Sequence, residues 1–541
     1  MSLVSRLFAR FCKLPPAITH DIAMEPLRIP MRDGVELLAD RYYARQAAQS
    51  PIVLIRSCYG RSAFKVIATV FAERGMQVVF QSCRGTCGSQ GIFRPFFDEQ
   101  DDGADTVEWI ERQPWFSGKL ALWGISYLGN TAWAIAGSTA APKVDALGLH
   151  VTLTNFRDRT YAFDGFTLIT CVGWTITMLD LLRTGGMKPF ASMMERRKAK
   201  ALSERAAATI PLRKADLLLT PEGVSWWQDW MDHADPGDPW WNPVNYGAAT
   251  QTMPPTVMTA GWYDIFLPFQ LRDFAAAQDA GRDVRITIGP WTHVAFAGLA
   301  ESLRQSITLF QGTPGAQPRV RLFLMGADEW RDYSSWPPPN TTTQTFYLQP
   351  TGSISAEAPA SESESAFDYD PADPTPSFHG ATLDARKGSG DMADLERRGD
   401  VLVFTAGPLA SDLDAIGPVS AEVFLRSNTA HTDLYLCLCD VTPQGRSTNV
   451  CDGYRRLRPD GSSAGDARKI GIEFWPTAYR FKSGHRMRII VASGAHPRYA
   501  RNPGSGEPLG DASTMVVARQ QILHGPEHPS AIALTVLQSH L

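Results

Sequence analysis

A short apolar run, Lys119 to Trp123 (KLALW), ends directly on Gly124-Ile125-Ser126-Tyr127-Leu128-Gly129 and leads into Asn130 to Gly137 (NTAWAIAG). The first stretch is too short for a helix and apolar throughout, as a strand buried on both faces must be. The last has the composition of a helix. A strand that turns into a helix over a single serine between glycines is the setting of a nucleophile elbow, where a tight turn lifts a hydroxyl above the carboxyl edge of a sheet. The spacing here is GxSxxG rather than the commoner GxSxG, because Leu128 takes the last glycine's usual place. Gly124 lets backbones approach at the turn, and Gly129 lets the start of the helix pack closely.

The rest of the first 150 residues supplies a sheet for this elbow. Ile52 to Arg56 (IVLIR) and Met76 to Gln81 (MQVVFQ) are further buried-strand runs. Asp101 to Glu111 is acidic at its start and apolar at Val107 and Ile110, which predicts a helix with carboxylates at the positive end of its dipole. Alternating elements of this kind predict a parallel sheet covered by helices, an α/β class. Residues 152–247 then read as helical, including an apolar stretch from Phe166 to Leu182 and a solvated basic face at Arg196 to Arg205. Strands resume at Pro255 to Ala260 and Val284 to Ile288, so the helical block is an insertion in the sheet domain. Past about residue 335 a turn-rich junction leads to a Ser- and Glu-rich stretch, 351–365, expected as a long exposed loop. Short β-patterned runs follow at Val401 to Thr405, Ala421 to Arg426, Leu434 to Cys439, Arg486 to Ala492 and Ile532 to Val536, predicting a sandwich or jelly roll. The expected boundaries are 1–151 and 248–334 for the two parts of the sheet domain, 152–247 for the insertion and 335–541 for the β domain.

With 52 basic and 56 acidic side chains the chain carries a formal charge of −4, which argues against nucleic acid as its main partner. The eight cysteines are too sparse for a disulfide scaffold, and free thiols suit a reducing cytoplasm. Arg6, Arg10 and Lys13 break the apolar core that a secretory signal needs, leaving a short amphipathic helix before Pro15. No stretch reads as a membrane span. No HxH or HExxH spacing occurs, so neither a metal nor another cofactor is expected.

A serine hydroxyl needs a base. In elbow proteins the order along the chain is serine, acid, histidine, each at a strand end. His293 follows the strand at 284–288, in Gly289-Pro290-Trp291-Thr292-His293, and is the best placed of 11 histidines. His150 lies too early, and His485, His496, His524 and His528 fall in the β-rich tail. Asp264 follows the strand at 255–260 and would hold the imidazole tautomer. Asp232, Asp235 and Asp238 are alternatives within the insertion. The oxyanion formed on attack needs two donors. One is the backbone N–H of Tyr127. The usual HGGG loop is absent, and Ser57-Cys58-Tyr59-Gly60-Arg61 stands in its place, which makes the phenol of Tyr59 the candidate for the second.

Taken together these segments resemble the cocaine-esterase-like (CocE/NonD) hydrolases, a family grouped with the Xaa-Pro dipeptidyl-peptidases and α-amino-acid ester hydrolases. The resemblance rests on Pro30 to Gly34 (PMRDG, an opening hairpin), Cys83 to Gly91 (an Arg-Gly loop) and the segments around Ser126, Asp264 and His293. It extends through Val320 to Gly326, Trp330-Arg331, Tyr369 to Pro374 and His524 to Ser530. It implies an α/β-hydrolase domain with an inserted helical cap and a carboxyl-terminal jelly roll. It also implies serine hydrolysis through an acyl-enzyme, with a tyrosine side chain in the oxyanion hole, which falls on Tyr59. The family loop commonly reads Asn-Pro-Tyr-x-Lys, so the frame around that tyrosine differs here. Related esterases place acyl-pocket aromatics where Phe166 and Trp174 fall, which implies a substrate-binding role for both.

The expected substrate is a small carboxylic ester. An amide or β-lactam side-chain acylase is the alternative, with a dipeptidyl-peptidase or amino-acid ester hydrolase beside it. The peptidases need carboxylates to hold a substrate ammonium. Asp164 is the one anchor in view, and no acidic pair accompanies it. A non-catalytic binding module ranks last. A homodimer is one admissible assembly.

Overall fold

The computed structural model describes residues 3–186, 192–312, 318–384, 387–459, 461 and 463–538. Helix α1 (Leu3–Phe11) leads into strands β1 (Ile22–Pro30), β2 (Glu36–Ala44) and β3 (Ile52–Ser57). Helix α2 (Lys65–Ala72), strand β4 (Gln77–Ser82), helix α3 (Glu99–Glu111), strand β5 (Leu120–Ile125), helix α4 (Tyr127–Ala136) and strand β6 (Ala146–His150) follow. The cap holds α5 (Phe156–Thr160), the two-residue strands β7 (Tyr161–Ala162) and β8 (Gly165–Phe166), α6 (Leu168–Thr184), α7 (Met193–Ala208) and α8 (Ser225–Asp232). The sheet resumes with β9 (Thr256–Tyr263), α9 (Leu267–Asp279), β10 (Val284–Thr292), α10 (Phe296–Phe310), β11 (Val320–Leu324) and β12 (Glu329–Tyr333).

Apart from β7 and β8, which pair with each other, these strands form one ten-stranded sheet in the order β1-β2-β4-β3-β5-β6-β9-β10-β11-β12. From β4 to β11 every neighbouring pair is parallel, and β1, β2 and β12 close the ends antiparallel. This is an α/β-hydrolase sheet with an inserted helical cap. All residues of β3 and β4 are buried, which is why their sequences are unbroken apolar runs apart from Arg56, the paired glutamines and the terminal serines. The strand order reverses at β3 and β5. That reversal opens a crevice at their carboxyl ends, the place where open α/β sheets bind ligands. Tyr59 leaves β3 there, and Ser126 leaves β5.

Two resembling motifs have structural work in this fold. Arg84 of the Arg-Gly loop bridges Asp33 of the opening hairpin at 2.6 Å and Asp102 of α3 at 2.5 Å. Arg56, itself buried, meets Glu99 at 2.8 Å, and Glu99 accepts the Tyr127 hydroxyl at 2.8 Å. Burial pushes the Glu99 carboxyl up while Arg56 pulls it back. This chain of ions anchors the start of α4 from beneath.

The carboxyl-terminal domain is a jelly roll, with twelve strands among the described residues between Thr341 and Leu537. Its longest strand, Leu413–Ser427, pairs with four others, whereas the sequence pattern reveals only Ala421 to Arg426. Gly417 and Pro418 interrupt the pattern, and the register shifts between Ala415 and Val419. The exposed loop expected at 351–365 is in part strand. Ser353–Ser355 and Ser363–Tyr369 are both paired, the latter with Ala518–His524. Its serines and glutamates lie on an edge strand whose buried face is carried by Phe367 and Tyr369. Met325 continues the ladder across the domain boundary, donating to Ala478 at 2.9 Å and accepting from Arg480 at 2.8 Å. All eight cysteines are free thiols, as expected. Among the described residues no helix is long and apolar enough to cross a membrane.

Candidate active site

Ser126 holds φ 53° and ψ −123°, a backbone region that side-chain-bearing residues enter at a cost of about 1–3 kcal/mol. Its N–H donates to the His150 carbonyl at 3.0 Å, which pins the turn to the end of β6. The glycines explain the unusual spacing. A Cβ on Gly124 would stand 2.0 Å from the Leu128 carbonyl oxygen, and one on Gly129 would stand 2.7 Å from Thr152. It is residue 129 that α4 presents to Thr152, while Leu128 is buried in an apolar cluster with Phe71 and Trp123. Gly129→Ala is expected to destabilise the fold by about 1–3 kcal/mol and Gly124→Ala by more, because the latter meets backbone. Equilibrium denaturation of both variants checks the order.

The Ser126 hydroxyl lies 2.8 Å from Nε2 of His293, and Nδ1 of His293 lies 2.8 Å from Oδ2 of Asp264. The three side chains stem from the ends of β5, β9 and β10. Asp264 is fully buried and the His293 side chain is 7% exposed. The other carboxylate oxygen of Asp264 accepts the Phe266 N–H at 2.7 Å, and the Phe266 ring meets the imidazole edge to face at 5.0 Å. The jelly roll reaches this point too, since the indole N–H of Trp475 donates to the Asp264 carbonyl at 2.9 Å. Trp475→Phe would leave that buried carbonyl without its donor and is expected to cost about 1–3 kcal/mol of stability. An unchanged unfolding midpoint would show that water replaces the indole.

Tyr59 is oriented by a neighbour. Its hydroxyl accepts the Trp174 indole N–H at 3.0 Å, which leaves its own proton free to donate. Burial pushes the phenol well above its ordinary value, so it stays protonated. The Tyr127 hydroxyl is engaged elsewhere, donating to Glu99 and accepting the Phe96 N–H at 3.1 Å. As the first residue of α4, Tyr127 has an N–H outside the intrahelical ladder.

Ser126, His293, Tyr59, Tyr127 and Trp174 line one cavity of about 430 Å³, walled mainly by apolar and aromatic side chains. Leu383, from the carboxyl-terminal domain, contributes to its wall. Phe166 does not line it. That ring is fully buried in the cap core, edge on to Trp227 at 5.6 Å and against Tyr161 at 5.3 Å. Asp164 is also outside, paired with Arg157 at 3.4 Å and Arg455 at 3.6 Å. Asp232 pairs with Arg213, and Asp238 with His233, so the alternative acids serve the cap. His150 is in the cavity wall but hydrogen-bonds Thr259 and Ser306, and burial pushes it down to about 3, so it is a neutral structural group. Sequence reasoning missed Arg159, a buried cation in the cavity wall. In the sequence it stands beside Arg157 and Asp158, and nothing there sets it apart from an ordinary charged segment.

The X-Pro dipeptidyl-peptidase (S15 family) model matches residues 33–295, and the X-Pro dipeptidyl-peptidase C-terminal non-catalytic domain model matches residues 312–533. The cocaine esterase of Rhodococcus sp. (strain MB1 Bresler) is 31% identical, over 94% of this chain and 98% of that protein. Among solved structures, an aminopeptidase from a Thaumarchaeota archaeon superposes with a TM-score of 0.80 at 20% identity, covering 97% of this chain and 98% of its own. An α-amino acid ester hydrolase superposes with a TM-score of 0.79 at 22% identity, again over 97% and 98%. The fold, both family models and the full-length similarity agree, and the chain belongs to the cocaine-esterase-like hydrolases of the X-Pro dipeptidyl-peptidase (S15) family.

Proposed function

We propose that this protein hydrolyses small carboxylic esters through an acyl-enzyme on Ser126. The observation that carries the reading is the run of two 2.8 Å hydrogen bonds from Ser126 through His293 to Asp264 at an apolar cavity. As the Ser126 oxygen bonds the ester carbonyl carbon, His293 takes its proton at Nε2, and Asp264 stabilises the imidazolium and fixes its orientation. The carbonyl oxygen becomes an oxyanion held by the Tyr127 N–H and the Tyr59 O–H. When the bond to the leaving oxygen breaks, His293 delivers the proton to it and an alcohol departs. Water then adds to the acyl carbon, giving its proton to His293. Release of the carboxylic acid returns that proton to the Ser126 oxygen.

An ester fits better than an amino-terminal peptide. Among the described residues that line the cavity none is Asp or Glu, so nothing there pairs with a substrate ammonium. A fluorophosphonate is expected to add to the peptide containing Ser126, read by mass spectrometry, and to stop hydrolysis of 4-nitrophenyl butyrate in proportion. Labelling elsewhere, or hydrolysis that survives full labelling, would remove the serine from the mechanism. Proline dipeptide amides are expected to be poor substrates beside aryl and alkyl esters.

A further inference from the structure

Among the described residues the fold buries five arginines, Arg41, Arg56, Arg74, Arg157 and Arg159. Four of them sit against a carboxylate: Arg41 on Glu25 at 2.7 Å, Arg56 on Glu99 at 2.8 Å, Arg74 on Glu73 at 3.7 Å and Arg157 on Asp164 at 3.4 Å. Arg159, only 6% exposed, has no carboxylate partner among the described residues. Its guanidinium donates one hydrogen bond, to the Cys171 sulfur at 3.3 Å, which is a weak acceptor. Three aromatic rings surround it, Phe156 at 5.5 Å and Trp174 and Trp230 at 5.2 Å each. Cation–π contacts offset part of the cost of burying the charge. They leave most of its five N–H donors without an acceptor. The side chain lines the same cavity as Ser126, and no wall residue there is acidic.

We propose that Arg159 binds a carboxylate carried on the acyl arm of the ester, so that the site takes monoesters of dicarboxylic acids. This rests on the reading of Ser126 as nucleophile and adds the substrate class to it. The arm follows from the geometry of the two walls. The leaving oxygen must lie on the imidazole side, because His293 protonates it. Arg159 lies against Trp174, whose indole holds the Tyr59 hydroxyl and stacks parallel to the Tyr127 ring at 6.2 Å, so its neighbours are those of the proposed oxyanion donors. A planar guanidinium receives a carboxylate through two parallel hydrogen bonds, and in this apolar surround such a pair is strongly discriminating.

The test compares kcat/KM of the full-length protein for mono-4-nitrophenyl glutarate and 4-nitrophenyl butyrate, which differ by the distal carboxylate. The unaltered protein is expected to favour the glutarate ester about 30-fold, the scale of hydrogen bonds to a charged group. Arg159→Gln is expected to abolish the preference and Arg159→Lys to keep part of it. Equal rates for the two esters in the unaltered protein would overturn the proposal, whether or not either variant folds. So would an equal loss on both esters in Arg159→Gln, which would mark Arg159 as a support for Tyr59. A preference for 4-carboxyphenyl butyrate over phenyl butyrate, with none for the glutarate ester, would overturn the assignment to the acyl arm. Turnover of butyrate with phosphonate labelling of Ser126 but no carboxylate preference sinks this inference alone. No turnover and no labelling sinks the nucleophile reading beneath it.

Discussion

Ser126→Ala is expected to lower kcat for 4-nitrophenyl butyrate on the order of 10⁶-fold while leaving the fold intact. The size follows from the way such groups act as one unit, since removing the nucleophile alone forfeits nearly everything the constellation provides. Stability should be unharmed. The hydroxyl's hydrogen bond to His293 is lost, but the strained backbone at φ 53° remains as before. Ser126→Gly, by contrast, relieves the strain and is expected to raise the unfolding midpoint. Activity of the alanine protein within tenfold of the original would show that the hydroxyl is a bystander. A collapsed fold would show that the turn depends on the hydroxyl.

Tyr59→Phe is expected to reduce kcat about 10²–10³-fold with little change in KM, the effect of deleting one oxyanion donor. The split matters because an oxyanion forms only after attack, so its donor stabilises the transition state more than bound substrate. Trp174→Phe supplies the internal control. It removes the N–H that orients the Tyr59 oxygen but keeps the donor, so its loss of kcat should be smaller. Equal losses in the two variants would make the orienting contact the whole effect. An unaffected Tyr59→Phe protein would hand the second donor to another group.

Much of this was legible in the sequence because the site is built from strand ends. KLALW, PTVMTA and VRITI are buried runs that announce themselves, and each stops just short of its candidate residue. The opening strands were hidden as such, since β1 and β2 mix Glu, Arg and Asp with apolar residues and only the hairpin motif betrayed them. The cap was legible as helix but not as a surface. Phe166 and Trp174 look equivalent along the chain, yet Phe166 ends strand β8 and faces the Trp227 core, whereas Trp174 stands on α6 and faces the cavity. Arg159 was invisible for a related reason. Its meaning lies in what it lacks, and a missing partner is a property of three-dimensional neighbours alone.

The indole of Trp475 on the backbone of Asp264 ties the fates of the two halves of the chain. A recombinant that exchanged the jelly roll for a relative's would inherit a catalytic half whose acid loop had lost its strut, unless the incoming piece brought an indole at the same depth. Mutational drift is constrained in the same way. A change in the tail that shifts this tryptophan would remove the donor from the Asp264 carbonyl, so the packing of the carboxyl-terminal domain reaches the loop that carries the triad candidate.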